Sequence, residues 1–215
     1  MPISNDMIRY PICDADIWIK GCKLQKEEEF FNIYNKLFFS DAVIQELKNK
    51  KNDNPNVFKI GYDSLKKYES SYYKLSFKDT EYFNAKERKI VKRLFAKNKI
   101  NYNEQNFEFE RDKHVGEKVS LIYASIHNLD IMLSDDNDSK IFKEYIKNKF
   151  KTVKVINLID FLIQIGIDAD QAEEIRHNVS KSYKQIEAEN QILNKGTLNN
   201  LNLLKEGLRI KGKLL

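Results

Sequence analysis

The sequence is poor in the residues that staple small proteins. Its 215 residues include two cysteines, Cys13 and Cys22, and three histidines. That is too few for a disulfide framework or a Cys-based zinc site. Long apolar runs are also missing. The longest candidate, Val155 to Ile167, is broken by Asn157, Asp160 and Gln164, and a membrane helix needs about 18 apolar residues. The first residues carry Asp6 and Arg9 and lack the basic-then-apolar pattern of a secretory signal. No internal repeat of fixed period is visible. These absences set the expectation of a cytoplasmic protein with no membrane partner. A strong net charge is lacking too: 37 Lys+Arg stand against 32 Asp+Glu, a net +5. Such an excess permits nucleic acid as a partner without requiring it.

What is present suits a globular core. Hydrophobic residues make up 41%, charged residues 32% and aromatics 12%, too apolar for a disordered chain. The length fits one domain, or one domain with an appendage. Ile8 to Ile12 reads as a buried strand that ends in Cys13-Asp14-Ala15-Asp16. Glu27 to Leu37 has helical spacing at Phe30, Phe31, Ile33, Tyr34 and Leu37. Ser40 suits the N-cap of a helix over Asp41 to Lys50, with Ala42, Val43 and Leu47 inward and Glu46 on an adjacent face. Lys86 to Lys99 predicts a basic amphipathic helix, and Gly116 to Leu129 another with Glu117 in its first turn. Asp130 to Leu133 predicts a strand that ends in Ser134-Asp135-Asp136. Asp138 to Phe150 then predicts a helix and Val153 to Ile156 a strand. Alternation of this kind predicts an α/β fold with a mostly parallel central sheet flanked by helices. The last fifty residues read as a helical hairpin, one helix from Asp168 or Asp170 to about Asn194 and a second after Thr197.

Two predicted strands thus end in acid, and in an open α/β sheet the ligand lies outside the carboxyl ends of the strands. Asp14 and Asp136 are expected to meet there, with Glu46 and Glu117 brought in by helices. Carboxylates gathered in one place repel and raise one another's pKa. A divalent cation removes that penalty, and hard oxygen ligands suit Mg²⁺ or Mn²⁺. Two such ions about 4 Å apart form an arrangement that cleaves phosphodiesters.

These same segments resemble the PIN-domain nucleases. Ile12-Cys13-Asp14-Ala15-Asp16, followed by Ile17-Trp18-Ile19, is similar to that family's opening strand. Ala42-Val43-Ile44-Gln45-Glu46-Leu47 resembles its second motif, a helix with a single Glu. Gly116-Glu117-Lys118 and the run through Ala124 resemble the third, and Leu133-Ser134-Asp135-Asp136 the fourth. The match covers about residues 8–165, with an insertion at about 55–112; the third acid is Glu where Asp is commonest. The resemblance implies a PIN-like nuclease domain over 1–165 and a helical appendage over 166–215. It implies Asp14, Glu46, Glu117 and Asp136 as catalytic acids. Asp16 and Asp135 join those four in the implied set of Mg²⁺ or Mn²⁺ ligands. The implied activity is hydrolysis of RNA, and toxin-type members are restrained by a small antitoxin. Two other expectations stay open beside it: a non-catalytic PIN-like scaffold that binds nucleic acid or protein, and a structure-specific DNA nuclease.

Residues 86–99 hold seven basic side chains and one acid, Glu87. Lys86, Lys89, Arg93 and Lys97 recur at helical spacing, a stripe able to neutralise phosphates. Phe58 to Phe83 holds eight aromatics, available either to a core or to stacking on unpaired bases. His114 and His127 are either aids to proton transfer near the site or incidental, and Cys13 reads as a small buried hydrophobe. The C-terminal hairpin offers a surface for a homodimer, for an antitoxin or for packing back on its own domain.

Overall fold

The computed structural model describes residues 10–52, 58–103, 105–106, 108–110, 114–135 and 153–180. Asp136, the helix predicted over 138–150 and most of the C-terminal hairpin lie outside the described residues. The chain divides into two compact units, Met1–Arg176 and His177–Leu215.

Strand β1 (Ile12–Cys13) is fully buried. It pairs in parallel with β2 (Leu37–Ser40) on one side and β6 (Ile131–Leu133) on the other. Beyond β2 lies β3 (Tyr72–Leu75), and beyond β6 lies β7 (Lys154–Ile156), again in parallel. The order β3-β2-β1-β6-β7 is Rossmann-like. The chain winds outward from β1 through β2 to β3, then returns to the far side of β1. The boundary between β1 and β6 is therefore the topological switch point, where such sheets open a crevice.

Among the described residues eight α-helices accompany this sheet: α1 (Ala15–Lys23), α2 (Glu27–Tyr34), α3 (Asp41–Lys50), α4 (Ile60–Lys67), α5 (Ala85–Lys97), α6 (Val115–His127), α7 (Leu158–Gln164) and α8 (Ala169–Ser180). A small antiparallel hairpin, β4 (Tyr102–Asn103) and β5 (Glu108–Phe109), joins α5 to α6. No helix among the described residues is long and apolar enough to cross a membrane.

The central strands β1 and β2 are buried on both faces, and β2 shows why its residues sit where they do. Side chains alternate along a strand. Phe39 meets Trp18 at 5.4 Å between ring centres, and Phe38 turns to the other face against Tyr73 at 5.4 Å. On the first face Trp18, fully buried, also packs on Phe30 and Phe31 and donates to Gly61 O at 2.9 Å. On the second face Phe38 joins Phe83, Val91, Phe95, Val119 and Tyr123 in one cluster.

Two expectations need correction. The helix predicted over 27–37 stops at Tyr34: Asn35 takes φ +63° and ψ −53°, and Lys36 N donates to Tyr34 O at 2.7 Å, a γ-turn that reverses the chain. Leu37 then enters β2. The segment 55–112 is also more than a helical insertion: it supplies β3, the edge strand of the main sheet, and the β4–β5 hairpin. Of its aromatics Phe77, Phe83, Phe95 and Phe109 are core, and the half-buried Tyr72 and Tyr73 lie against Phe39 and Phe38.

His127 is buried at the end of α6 under Phe83, 4.4 Å between ring centres, and its Nε2 has no partner. Burial pushes its pKa down to about 4, against a weaker upward pull from Glu87. The folded protein thus holds His127 neutral where the unfolded chain protonates it. Its contribution is complete above the ordinary value near 6.5 and is lost as the pH falls toward 4. A loss of about 3 kcal/mol is expected over that range. His127→Leu should flatten the acid limb of a denaturation series by that amount; an unchanged limb would show that His127 does not carry it.

Candidate metal centre

Asp14 closes β1. Its N–H donates to Leu133 O at 2.9 Å, fastening it to β6 at the switch point. It also occupies the N-cap of α1, yet its side chain makes no cap hydrogen bond. An Asp at an N-cap ordinarily accepts from the first helical N–H groups. Here the carboxylate turns into a pocket of about 120 Å³ lined by Asp14, Asp16, Ile19, Glu46, Phe58 and Glu117. Asp14 is 1% exposed. Its Oδ2 receives Ser134 Oγ at 3.4 Å, while Oδ1 is buried with no hydrogen-bond partner. Burial pushes the Asp14 carboxyl well above its ordinary 3.8, and Glu117, Glu46 and Asp16 add to the rise.

Glu46 and Glu117 reach this pocket because α3 and α6 are tied together. Ser40 Oγ accepts from Val43 N as the N-cap of α3 and also meets Ser120 Oγ of α6 at 2.9 Å. Asp41 accepts from Tyr123 OH at 3.0 Å and from Ser76 Oγ at 2.6 Å. At the close approach of the two helices stands Gly116. A Cβ there would lie 3.1 Å from Glu46 Oε2, 3.2 Å from Val43 Cγ2 and 3.6 Å from Asp14 Oδ1. The two carboxylates thus converge over a residue without a side chain.

Each flanking acid has a cationic or polar neighbour. Glu46 Oε1 pairs with Lys50, whose ammonium also sits 5.0 Å from the Phe58 ring centre. Glu117 Oε1 meets His114 Nδ1 at 3.4 Å. Asp16, at the rim, pairs with Lys20 at 2.8 Å. Among the described residues no group of three His, Cys, Asp or Glu stands as a ready-made metal-ion site. The donor set is still one of hard oxygens around a buried carboxylate atom with nothing to bind, and that chemistry fits Mg²⁺ or Mn²⁺. Glu46 and Glu117 would have to turn from Lys50 and His114 to complete it.

The structure therefore gathers Asp14, Asp16, Glu46 and Glu117. It places Asp135 differently, and the expectation of a metal ligand there needs correction. The Asp135 side chain is fully buried and pairs with Lys20 at 2.5 Å and Arg176 at 3.1 Å, while Leu158 N donates to it at 3.2 Å. Its oxygens are committed to an ion-paired junction of α1, α7 and α8. Asp136 lies outside the described residues. Lys86, Lys89, Arg93 and Lys97 are all exposed on α5. Cys13 is buried, and burial pushes its thiol well up.

Gly116, Lys50 and Phe58 belong to the site and were not singled out by the sequence. A glycine directly before the acid in the first turn of a helix was the available signal for Gly116. Gly116→Ala gains about 1 kcal/mol of helix preference against a methyl set 3.2 Å from buried Val43, so Tm should change little. The new methyl presses on Glu46 and reaches van der Waals contact with Asp14, so Mn²⁺ affinity is expected to fall about tenfold. A titration showing unchanged affinity would mean that these carboxylates do not act together.

No family model matches this sequence, and no curated protein matches it.

Proposed function

We propose that the protein is a metal-dependent endoribonuclease of PIN type, with Asp14, Glu46 and Glu117 as its metal-binding acids. The observation that carries this reading is the Asp14 carboxylate: buried, turned away from the cap it could make, and surrounded by three further acids. A fold has no stability reason to keep such a group, and a perturbed carboxylate at a sheet's switch point is a candidate functional group.

Mg²⁺ or Mn²⁺ bound here would lower the pKa of an attacking water and stabilise the leaving oxygen of a phosphodiester. The chain's own part is to hold the acids in place. β1 fixes Asp14, the Ser40 and Asp41 contacts fix α3 against α6, and Gly116 leaves room between them. Glu46 turned inward would release Lys50, a half-exposed ammonium able to meet a phosphate oxygen. Asp16, held by Lys20, stays at the rim as an outer acid. A toxin role restrained by a small antitoxin is one setting in which such an activity would be used.

The test is incubation of unstructured RNA with Mn²⁺ or with EDTA. Cleavage only with Mn²⁺ is expected, leaving 5′-phosphate and 3′-hydroxyl ends, and Asp14→Asn should reduce it to background. Equal cleavage by the two proteins would reject the assignment.

A further inference from the structure

A second concavity lies away from the acids. It is an open groove of about 490 Å³ lined by Phe77, Lys78, Arg88, Lys89, Lys92 and Tyr102. That volume is in the range of about 300–1,000 Å³ typical of ligand sites. With Ala85 the lining comes to seven residues, of which four are cationic and two aromatic, and no carboxylate lines it.

Local structure explains this segregation. Helix α5 starts at Asn84, whose side chain accepts from Lys86 N and Glu87 N. Glu87 completes the capping box by accepting from Asn84 N at 2.8 Å. The acid of this helix is thereby bound to its own cap, and Glu87 does not line the groove. Val91 and Phe95 are the buried positions of α5, and Arg88 and Lys92, one turn apart, flank the groove with Lys89. Lys78 closes the other side from the segment after β3.

The floor is fixed as well as aromatic. Phe77 and Tyr102 meet edge to face at 4.8 Å, and Phe77 N donates to Tyr123 OH at 3.3 Å. Tyr102 pairs across the hairpin with Phe109. The Gln45 side chain holds Phe109 by both its N–H and its C=O, each at 2.9 Å. Gln45 directly precedes Glu46, so α3 supports this floor and carries an acid of the metal centre.

We propose that this groove binds single-stranded RNA, with Lys78, Arg88, Lys89 and Lys92 on successive phosphates and a base laid on Tyr102. A phosphate-neutralising wall over a rigid ring is the combination that holds unpaired nucleotides, because stacking needs a base free of its complement. The choice of RNA rests on the nuclease reading. The groove departs from the stripe expected on sequence: of its four residues only Lys89 lines it, while Lys86, Arg93 and Lys97 do not.

Anisotropy of a short labelled oligouridylate, measured on the full chain in EDTA, tests this without cleavage. Four neutralised phosphates give a slope of log affinity against log salt of about −3. The pair Arg88→Glu, Lys92→Glu should weaken binding more than about tenfold and flatten that slope by about half. The pair Arg93→Glu, Lys97→Glu makes the same charge change on the same helix outside the groove and should cost less than about threefold. Tyr102→Leu should weaken the single strand about tenfold and leave a duplex of equal length unaffected. Circular dichroism of each variant should match the parent. Equal losses for the two charge pairs, or an unaffected single strand with Tyr102→Leu, would overturn the proposal. The two readings fail separately. Groove variants that bind RNA normally, in a protein that cleaves RNA with Mn²⁺, reject the groove alone. Groove variants that lose RNA, in a protein that never cleaves it, reject the nuclease alone.

Discussion

Asp14→Asn is expected to raise the melting temperature of the metal-free protein at neutral pH, although it removes the proposed catalytic centre. Asp14 is 1% exposed, and its Oδ1 has no hydrogen-bond partner. Burial, then Glu117, Glu46 and Asp16, hold its folded pKa above 3.8. A carboxyl shifted upward binds its proton more tightly in the folded state. The penalty is therefore absent below 3.8 and grows as the pH rises through the interval above it. Asparagine carries no charge at any pH and escapes that penalty. The variant is therefore expected to be the more stable of the two, and its Tm should rise. Mn²⁺ should reverse the order, stabilising the parent by mass action and leaving the variant unmoved. Thermal melts in EDTA and in Mn²⁺ read both effects. A lower Tm for Asp14→Asn in EDTA would mean that the folded protein does pair this carboxylate.

Asp135→Ala is expected to act in the opposite way and with a larger effect. Asp135 lies between Lys20 and Arg176 with its side chain fully buried. Burial opposes the Lys20 charge, yet Asp16 and Asp135 together hold its pKa above the ordinary value. Removing Asp135 takes one carboxylate from both Lys20, which keeps Asp16, and Arg176, and takes the acceptor from Leu158 N. Breaking one member of a buried ion pair costs about 3–5 kcal/mol, which lowers Tm by roughly 10 °C. Urea titration measures it directly. A cost below about 1 kcal/mol would place this junction with ordinary surface ion pairs. The contrast matters because Asp14 and Asp135 each follow a β-strand. One is expected to weaken the fold and the other to hold it together.

That contrast also shows where sequence reading stops. Helix α3, its Ser40 cap and the inward positions Ala42, Val43 and Leu47 were legible because each signal is local. So was the order of acids along the chain. Strand β2 was not, since Leu37, Phe38 and Phe39 are buried on both faces and show no alternation. Strand β3 was hidden in a Tyr-rich stretch whose rings lie against Phe38 and Phe39. Asp135 looked like a ligand because its partners are remote: Lys20 is 115 positions away and Arg176 is 41. Gly116 matters only through Glu46 and Asp14, which lie on other elements. The groove escaped notice for a related reason. Helical spacing picks out one stripe of α5, whereas concavity depends on Lys78, Phe77 and Tyr102 arriving from elsewhere.

The central claim is that Asp14, Glu46 and Glu117 form one divalent-metal centre. Calorimetric titration of Mn²⁺ into the full chain at neutral pH, beside Asp14→Asn and Glu117→Gln, tests it most directly. Saturable binding is expected for the parent, none for Asp14→Asn, and clearly weakened binding for Glu117→Gln. No binding by the parent, or the same affinity in all three proteins, would contradict it.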